Sequence, residues 1–447
     1  MDADFHPGIA ATSAALSGDS DFGSAWVGTA SSKTYTLINT NLGTIRGLSA
    51  HFESLNFAST LSGCEPLSPG ASCSITVAFS PTSGGEIADT LTVSWAEGNS
   101  VTAPLEGVGI DTLIVTSFES NLSGFQVVLN KPLDTSVFNL RTGPDDLIPQ
   151  DITIVGDTVG SVQGSVILDS SRRSLRFVKR GGLFTNDTYT VTLRSATDGV
   201  RDLAAQSLDG TQTGTPGGDY TQTFTIASSA VAVTLSDFAR GPGQQVKVPN
   251  NTGTGIPVSV SNGNGVTTLD VDLEFDPTLL TVSGATVGAA MPGGSSVSFE
   301  TVEDGHVRVQ FVSPSDIGAG VKTLFQFLAT VPTSATFAEG NPLILSNASL
   351  NSGSIAAAVD VGVHQVVYMG DVDASRSFTA GDGTLTAALG VLLLGGANPE
   401  VGFEAFPLFD PFPIGDISGD GTMGGFDASL ISQKANGFVV AQIPDIP

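Results

Sequence analysis

Oxygen-bearing residues with the spacing of a hard-cation site gather near the C-terminus. The stretch Asp416-Ile-Ser-Gly-Asp-Gly-Thr-Met-Gly-Gly-Phe-Asp427 sets Asp416, Ser418, Asp420 and Asp427 at its first, third, fifth and twelfth positions. Gly421 stands sixth, where such a loop turns sharply, and Thr422 follows with a backbone carbonyl to offer. Ca²⁺ takes six to eight oxygens and needs a tight turn between them. An earlier stretch, residues 371–382, repeats the spacing with Asp371, Asp373, Ser375 and Asp382, with Ser377 seventh and Thr379 ninth. It departs in two places: Arg376 replaces the turn glycine and Ser375 replaces an acid. Two Ca²⁺ sites are expected, the first of weaker affinity.

The elements that must hold these loops follow them. Residues 383–396 read as a helix with Leu385, Leu389 and Leu392 or Leu393 on one face, stopping at a double glycine. Residues 427–437 read as a second helix, with Leu430, Ile431 and Phe438 inward. No helix is evident before either loop, and the twelfth residue is Asp where an EF-hand has Glu. The doubled loop-plus-helix unit, over about residues 369–440, resembles a dockerin, the calcium-dependent plug that binds cohesin domains. That resemblance makes residues 369–447 a small α-helical module whose stability metal should set.

Between the two helices Phe403, Phe406, Phe409 and Phe412 recur every third residue, interleaved with Pro407, Pro411 and Pro413. Polyproline II has three residues per turn, so all four rings would share one side. An uncovered patch of this kind marks an interface. The ladder is then either a strap over the protein's own domains or a contact for a partner chain.

Composition narrows the class. The chain has 447 residues and a net charge of −27, from 44 acids and 17 bases. That balance excludes a nucleic-acid partner, which needs a basic face. No apolar run approaches the roughly 20 residues of a membrane span. No basic-plus-apolar leader is evident, so a mature form or a fragment is expected. Gly is abundant and Lys scarce, a mix suited to strands and turns. Cys64 and Cys73 flank a turn, read as a disulfide and hence an oxidising, extracellular or cell-surface setting.

Residues 1–15 form an N-terminal extension, a linker or an outward-pairing strand. Residues 16–110 alternate apolar and polar in short runs, as a β-sandwich does. Cys64-Glu-Pro-Leu-Ser-Pro-Gly-Ala-Ser-Cys73, with Leu105-Glu-Gly-Val-Gly109, resembles Ig-like modules of the choice-of-anchor or ASPM–SPD-2–hydin type, which serve as spacers. Residues 111–228, through Asn130-Lys-Pro-Leu-Asp134 and Tyr189-Thr-Val-Thr-Leu193, resemble an S-layer-type bacterial Ig-like domain. The cluster Arg172, Arg173, Arg176, Lys179 and Arg180 is a positive island there, either solvated strand tips or a contact for an acidic neighbour. Residues 229–368 carry further strand runs, among them Val246–Val248. The run Leu269-Asp-Val-Asp-Leu-Glu-Phe-Asp-Pro277 and the Leu-Leu turn after it resemble a cohesin, which implies a nine-stranded jelly roll. A last strand at 359–368 then runs almost directly into the first calcium loop, leaving little hinge freedom.

No catalytic set assembles. His6, His51, His306 and His364 are scattered, with His306 expected exposed in a turn, and Asp270 and Asp272 share a strand face as a weak cation site or a solvated pair. Trp and Tyr are too scarce for a carbohydrate platform. The fold class expected is mainly β: three tandem sandwiches, then a calcium-loop module. The function expected is a secreted, non-catalytic structural subunit. Its dockerin-like end binds the cohesin-like face of the next copy, a head-to-tail contact that makes a filament. The alternatives are docking of the two modules within one chain, or a scaffold role with a different cohesin or dockerin partner.

Overall fold

The computed structural model describes residues 13–141, 149–249, 251–394 and 403–447. The chain divides after Thr112 into two compact units. The first is a sandwich of two four-stranded sheets. One orders Ala14–Ser17, Ser31–Asn39, Ser72–Phe79 and Phe57–Ser62; the other Asp21–Trp26, Asn99–Ile110, Gly85–Trp95 and Ser49–His51. Alternation along Ser72–Phe79 sends Cys73, Ile75, Val77 and Phe79 inward, as the two-residue strand period demands. Cys64 and Cys73 are joined in a disulfide. The end of the expected extension belongs to this sandwich: Ala14 pairs with Asn39. The rest of that extension lies outside the described residues.

The second unit begins with another pair of four-stranded sheets, over residues 115–226. Beside it lies a sandwich of five- and six-stranded sheets. Nine strand paths become eleven segments here because the two end strands change sheets. Val231–Leu235 gives way to Phe238–Ala239, and Ala357–Val359 to Val361–Gln365. In place of the strand expected at 246–248 there are isolated bridges at Gln245 and Val248, and Pro249 has no N–H to extend the pairing. Asp272 is neither solvated nor a cation site. It is buried in a fork with Arg308 (2.7 and 2.9 Å), and half-buried His306 sits 3.3 Å away instead of lying exposed.

Among the described residues, three helices close the unit: α1 (Ala380–Leu394), α2 (Phe412–Gly415) and α3 (Gly425–Ala435). The single turn α2 directly precedes the second loop, where no helix was expected; Pro413 near its start suits a first turn, whose N–H groups lack partners anyway. The double glycine expected to stop α1 lies outside the described residues. Leu389 is buried with Leu385 and Leu393 beside it, but Phe438 points outward, 65% exposed.

The phenylalanine segment is not polyproline II. Phe406 N–H donates to Phe403 O, and Phe409 N–H to Phe406 O, both at 3.1 Å. Polyproline II has no internal hydrogen bonds; i→i+3 turns also advance three residues per turn. The rings therefore still share a side, on a different backbone. Phe403, Phe406 and Phe409 are buried among Val367, Leu389, Ile414 and Met423. Leu408 O accepts from Val166 N–H (2.8 Å), so the segment covers the edge strand Gly164–Leu168. Gly340 sits where these parts meet: a Cβ there would lie 3.1 Å from both Ile167 and Phe409.

The island at 172–180 splits. Arg172 and Arg173 stay exposed, while Arg180 turns in to pair with buried Asp410 (2.7 Å) and lies 3.8 Å over the Phe412 ring. The joint between the second and third sandwiches is apolar around Ile167, Val178, Val361 and Val363. Two carboxylates flank it. Asp360 accepts from Ser123 Oγ (2.8 Å), and Asp237 from the N–H groups of Val363 (2.8 Å) and Gly181 (3.3 Å).

Candidate metal centre

Each loop is folded by its own acids. Asp371 Oδ2 accepts from Arg376 N–H (3.0 Å), drawing the first loop into a circle. Asp382 opens α1 and accepts from the N–H groups of Val372 (2.8 Å), Asp373 (3.1 Å) and Thr379 (2.8 Å), and from Thr379 Oγ1 (2.9 Å). The second loop repeats this wiring. Asp416 accepts from Gly421 N–H (2.9 Å), and Asp427 from Ser418 N–H (2.8 Å) and Gly424 N–H (2.9 Å). In both, the fourth and sixth residues have positive φ: Ala374 and Arg376 at 59° each, Gly419 at 75° and Gly421 at 81°.

Arg376 therefore holds a conformation that favours glycine. Its guanidinium lies 4.7 Å from the Phe337 ring centroid, a contact that offsets part of the strain. Arg376→Gly should relieve the backbone and lose the ring contact, so thermal unfolding of the metal-free protein is expected to change by less than about 1 kcal/mol.

The loops differ in what they gather. In the first, Asp371, Asp373 and Asp382 bring one carboxylate oxygen each within 4.8 Å of the others, with Asp371 and Asp382 fully buried. Ser375 Oγ approaches Asp371 (3.5 Å) and Ser377 Oγ (3.1 Å), so the two hydroxyls border the same space. Burial, then the neighbouring Asp382, pushes Asp371 up to about 7. Burial also raises Asp382. In the second loop burial raises Asp416, whereas exposed Asp420 bonds Thr422 N–H (2.8 Å) and Oγ1 (2.6 Å), which lower it. Crowded acids among oxygen donors fit a hard divalent cation, which would offset the repulsion between them. Sulfur and imidazole donors, which softer metals prefer, take no part.

The module holding the loops is built into the third sandwich. Val367 joins the cluster around Leu389, and Met369 joins Ile417, Leu430, Ile431, Val440 and Ile443. Gly370 N–H donates to Ile414 O (2.8 Å), and Gln244 Nε2 to Asp445 O (3.0 Å). Fully buried Arg240 reaches Met369 Sδ (3.6 Å). Arg240, Asp360 and Asp410 were not singled out from the sequence, because each works through partners distant in the chain.

Two family models match separate parts of the chain. Residues 231–363 match the cohesin domain, and residues 16–108 the HYDIN/CFA65/VesB-like, Ig-like domain. Both are non-catalytic kinds of module. Cellulose-binding protein A of Clostridium cellulovorans is 24% identical over 341 residues, which is 69% of this chain but 18% of that protein. Among solved structures, the sixth cohesin of scaffoldin B from Acetivibrio cellulolyticus, in complex with a dockerin, is 17% identical, covering 31% of this chain and 99% of that one with a TM-score of 0.27. A non-cellulosomal cohesin from Archaeoglobus fulgidus is 17% identical, covering 32% and 94%, with a TM-score of 0.25.

Proposed function

We propose that the chain is a non-catalytic assembly protein of the cell exterior. Its cohesin domain takes a dockerin-type partner, and its dockerin-like module holds Ca²⁺ and braces the cohesin domain from within the same chain. The observation that carries this reading is the convergence of Asp371, Asp373 and Asp382 in a module whose core is shared with the end of the third sandwich. The partner surface we assign is the open face of the six-stranded sheet, where Arg308 and Gln310 are exposed between buried neighbours and Ser298 and Glu300 are exposed on the edge strand beside them. An extracellular setting agrees with the Cys64–Cys73 bridge and with scaffoldins, the cell-surface proteins that bear cohesins.

Calorimetry of the full chain tests the brace. Calcium at a hundredfold excess over its Kd is expected to stabilise the second unit by about 2.7 kcal/mol, and a chelator to remove the gain. Asp382→Ala combined with Asp427→Ala, one change in each loop, should abolish most of that response. An unfolding profile indifferent to calcium would sink the proposal.

One observation favours a second reading, calcium-dependent self-association into a filament. The module keeps Val391, Phe426, Phe438 and Val439 on its exterior, 63% to 97% exposed, despite its internal docking. Light scattering with calcium and with chelator separates the two readings. Mass that grows with concentration only in calcium supports assembly; a monodisperse monomer in both leaves the brace alone.

A further inference from the structure

The second and third sandwiches touch along Ile167, Val178, Val361 and Val363, then diverge. Beyond that contact lies a half-open cleft of about 970 Å³. One wall continues the sheet of the second sandwich: Arg176 pairs across the strands with Gln126, and Arg172 stands at the rim; Asp169 lines the same wall, but its carboxylate is turned to Ser171 Oγ and the N–H groups of Arg173 and Ser174. The opposite wall carries Glu274, Asp276 and Glu339. The floor is apolar, around Leu408 and Ile344.

The charges on the two walls are held apart and largely unspent. Arg176 donates to Gln126 Oε1 (2.9 Å), a neutral group. Among the described residues, neither Arg172 nor Arg176 has a carboxylate within ion-pair distance, in a chain with 44 acids. Burial lowers the Arg176 guanidinium from its ordinary value, with no acid to oppose it. Facing it, Glu339 is exposed, and Glu274 takes only Ser346 Oγ (3.1 Å). Asp276 spends one oxygen on Thr278. A cleft this size at a domain boundary, with convergent polar groups over an apolar floor, has the form of a binding site.

We propose that this cleft binds an extended polypeptide segment bearing both acidic and basic side chains, its carboxylate meeting Arg172 and Arg176 and its cation meeting Glu274 and Glu339. A polypeptide fits better than a glycan. Neutral sugars carry no cation for the acidic wall, and no Trp or Tyr lines the cleft to stack on a sugar face. Arg and carboxylate pair through two parallel hydrogen bonds, which would fix the segment's direction.

The test uses the full chain and end-blocked synthetic peptides of alternating Lys and Asp, by fluorescence anisotropy at low salt. All-Asp peptides, Ser–Gly peptides and cello-oligosaccharides serve as comparisons. The mixed-charge peptide is expected to bind best and to weaken as salt rises. Arg176→Gln and Glu339→Gln are each expected to weaken it roughly tenfold or more. Glu339 is exposed and without a partner among the described residues, so its variant keeps the test decisive if the arginine variant folds poorly. Equal binding of mixed and neutral peptides, no loss in either variant, or binding of the oligosaccharide alone would overturn the proposal.

Discussion

Arg180→Ala is expected to destabilise the second unit by about 3–5 kcal/mol, far more than an exposed ion pair would. The difference lies in what the arginine leaves behind. Asp410 is 2% exposed and sits in the strap between the second sandwich and the helical module that holds the two acidic loops. Its remaining contact to the carboxylate is Phe412 N–H at 3.1 Å. Truncating Arg180 strands a buried charge and removes the cation from the Phe412 ring. Arg180→Ala combined with Asp410→Asn should recover part of the loss, because the charge goes with its partner. Urea unfolding followed by tryptophan-independent far-ultraviolet signal measures both. A cost below about 1 kcal/mol for the single variant would mean the pair behaves as a surface one.

The second large effect is with pH, and its sign is opposite to ordinary acid denaturation. Asp237 is pushed up to about 7 by burial and then by Asp360, and Asp360 to about 6 by burial. Lys179, Arg180 and Asp410 are the other charged groups around the joint. A carboxyl raised in the folded state binds protons more tightly there than when unfolded. Its stabilising share is complete below the ordinary 3.8 and is lost as pH rises through about 6 and 7. For Asp360, which is 1% exposed, the displacement corresponds to about 3 kcal/mol. Asp371 and Asp151, raised mainly by burial to about 7 and about 6, add to this loss, while buried His364, lowered by burial to about 4, offsets part of it between pH 4 and 6.5. Asp134 and Asp272 act the other way. Hydrogen bonds from Ser136 and then Arg201 hold the first to about 2, and Arg308 the second; their share is lost as pH falls from 3.8 toward 2. In chelator, urea unfolding of the second unit should therefore need less denaturant at about pH 8 than at about pH 5. A midpoint that climbs steadily across that interval would contradict the assignment.

The strands were legible because alternation needs no distant partner: Ser72–Phe79 and His306–Val312 bury every second residue. The wiring of the loops was legible because the acids that fold each one lie within twelve positions of one another. The strap was harder. A three-residue period fits polyproline II and a run of i→i+3 turns alike, and only the backbone bonds at Phe406 and Phe409 separate them. Asp272 misled for a related reason: its partners Arg308 and Asn347 lie on other strands, so burial could not be read from its neighbours. Arg376 looked like a defect in the turn because its ring partner, Phe337, comes from the preceding sandwich. The domain boundary near 368 was read from strand endings, whereas the apolar side chains of Val367 and Met369 run on into the next module.

The strap that covers Gly164–Leu168 has a consequence for how the chain is made. Asp410 N–H reaches Ser165 Oγ across 245 residues of sequence. On a ribosome the middle sandwich emerges long before its cover does, with an edge strand whose N–H and C=O groups still seek partners. Domains at the N-terminal side fold first during synthesis. For that interval the growing chain is a half-closed object, open to pairing with the same strand of a neighbour on the same message. Emergence of the strap, from residue 403 onward, is what ends the exposure, so nascent chains stalled before residue 403 should be the ones that cross-associate.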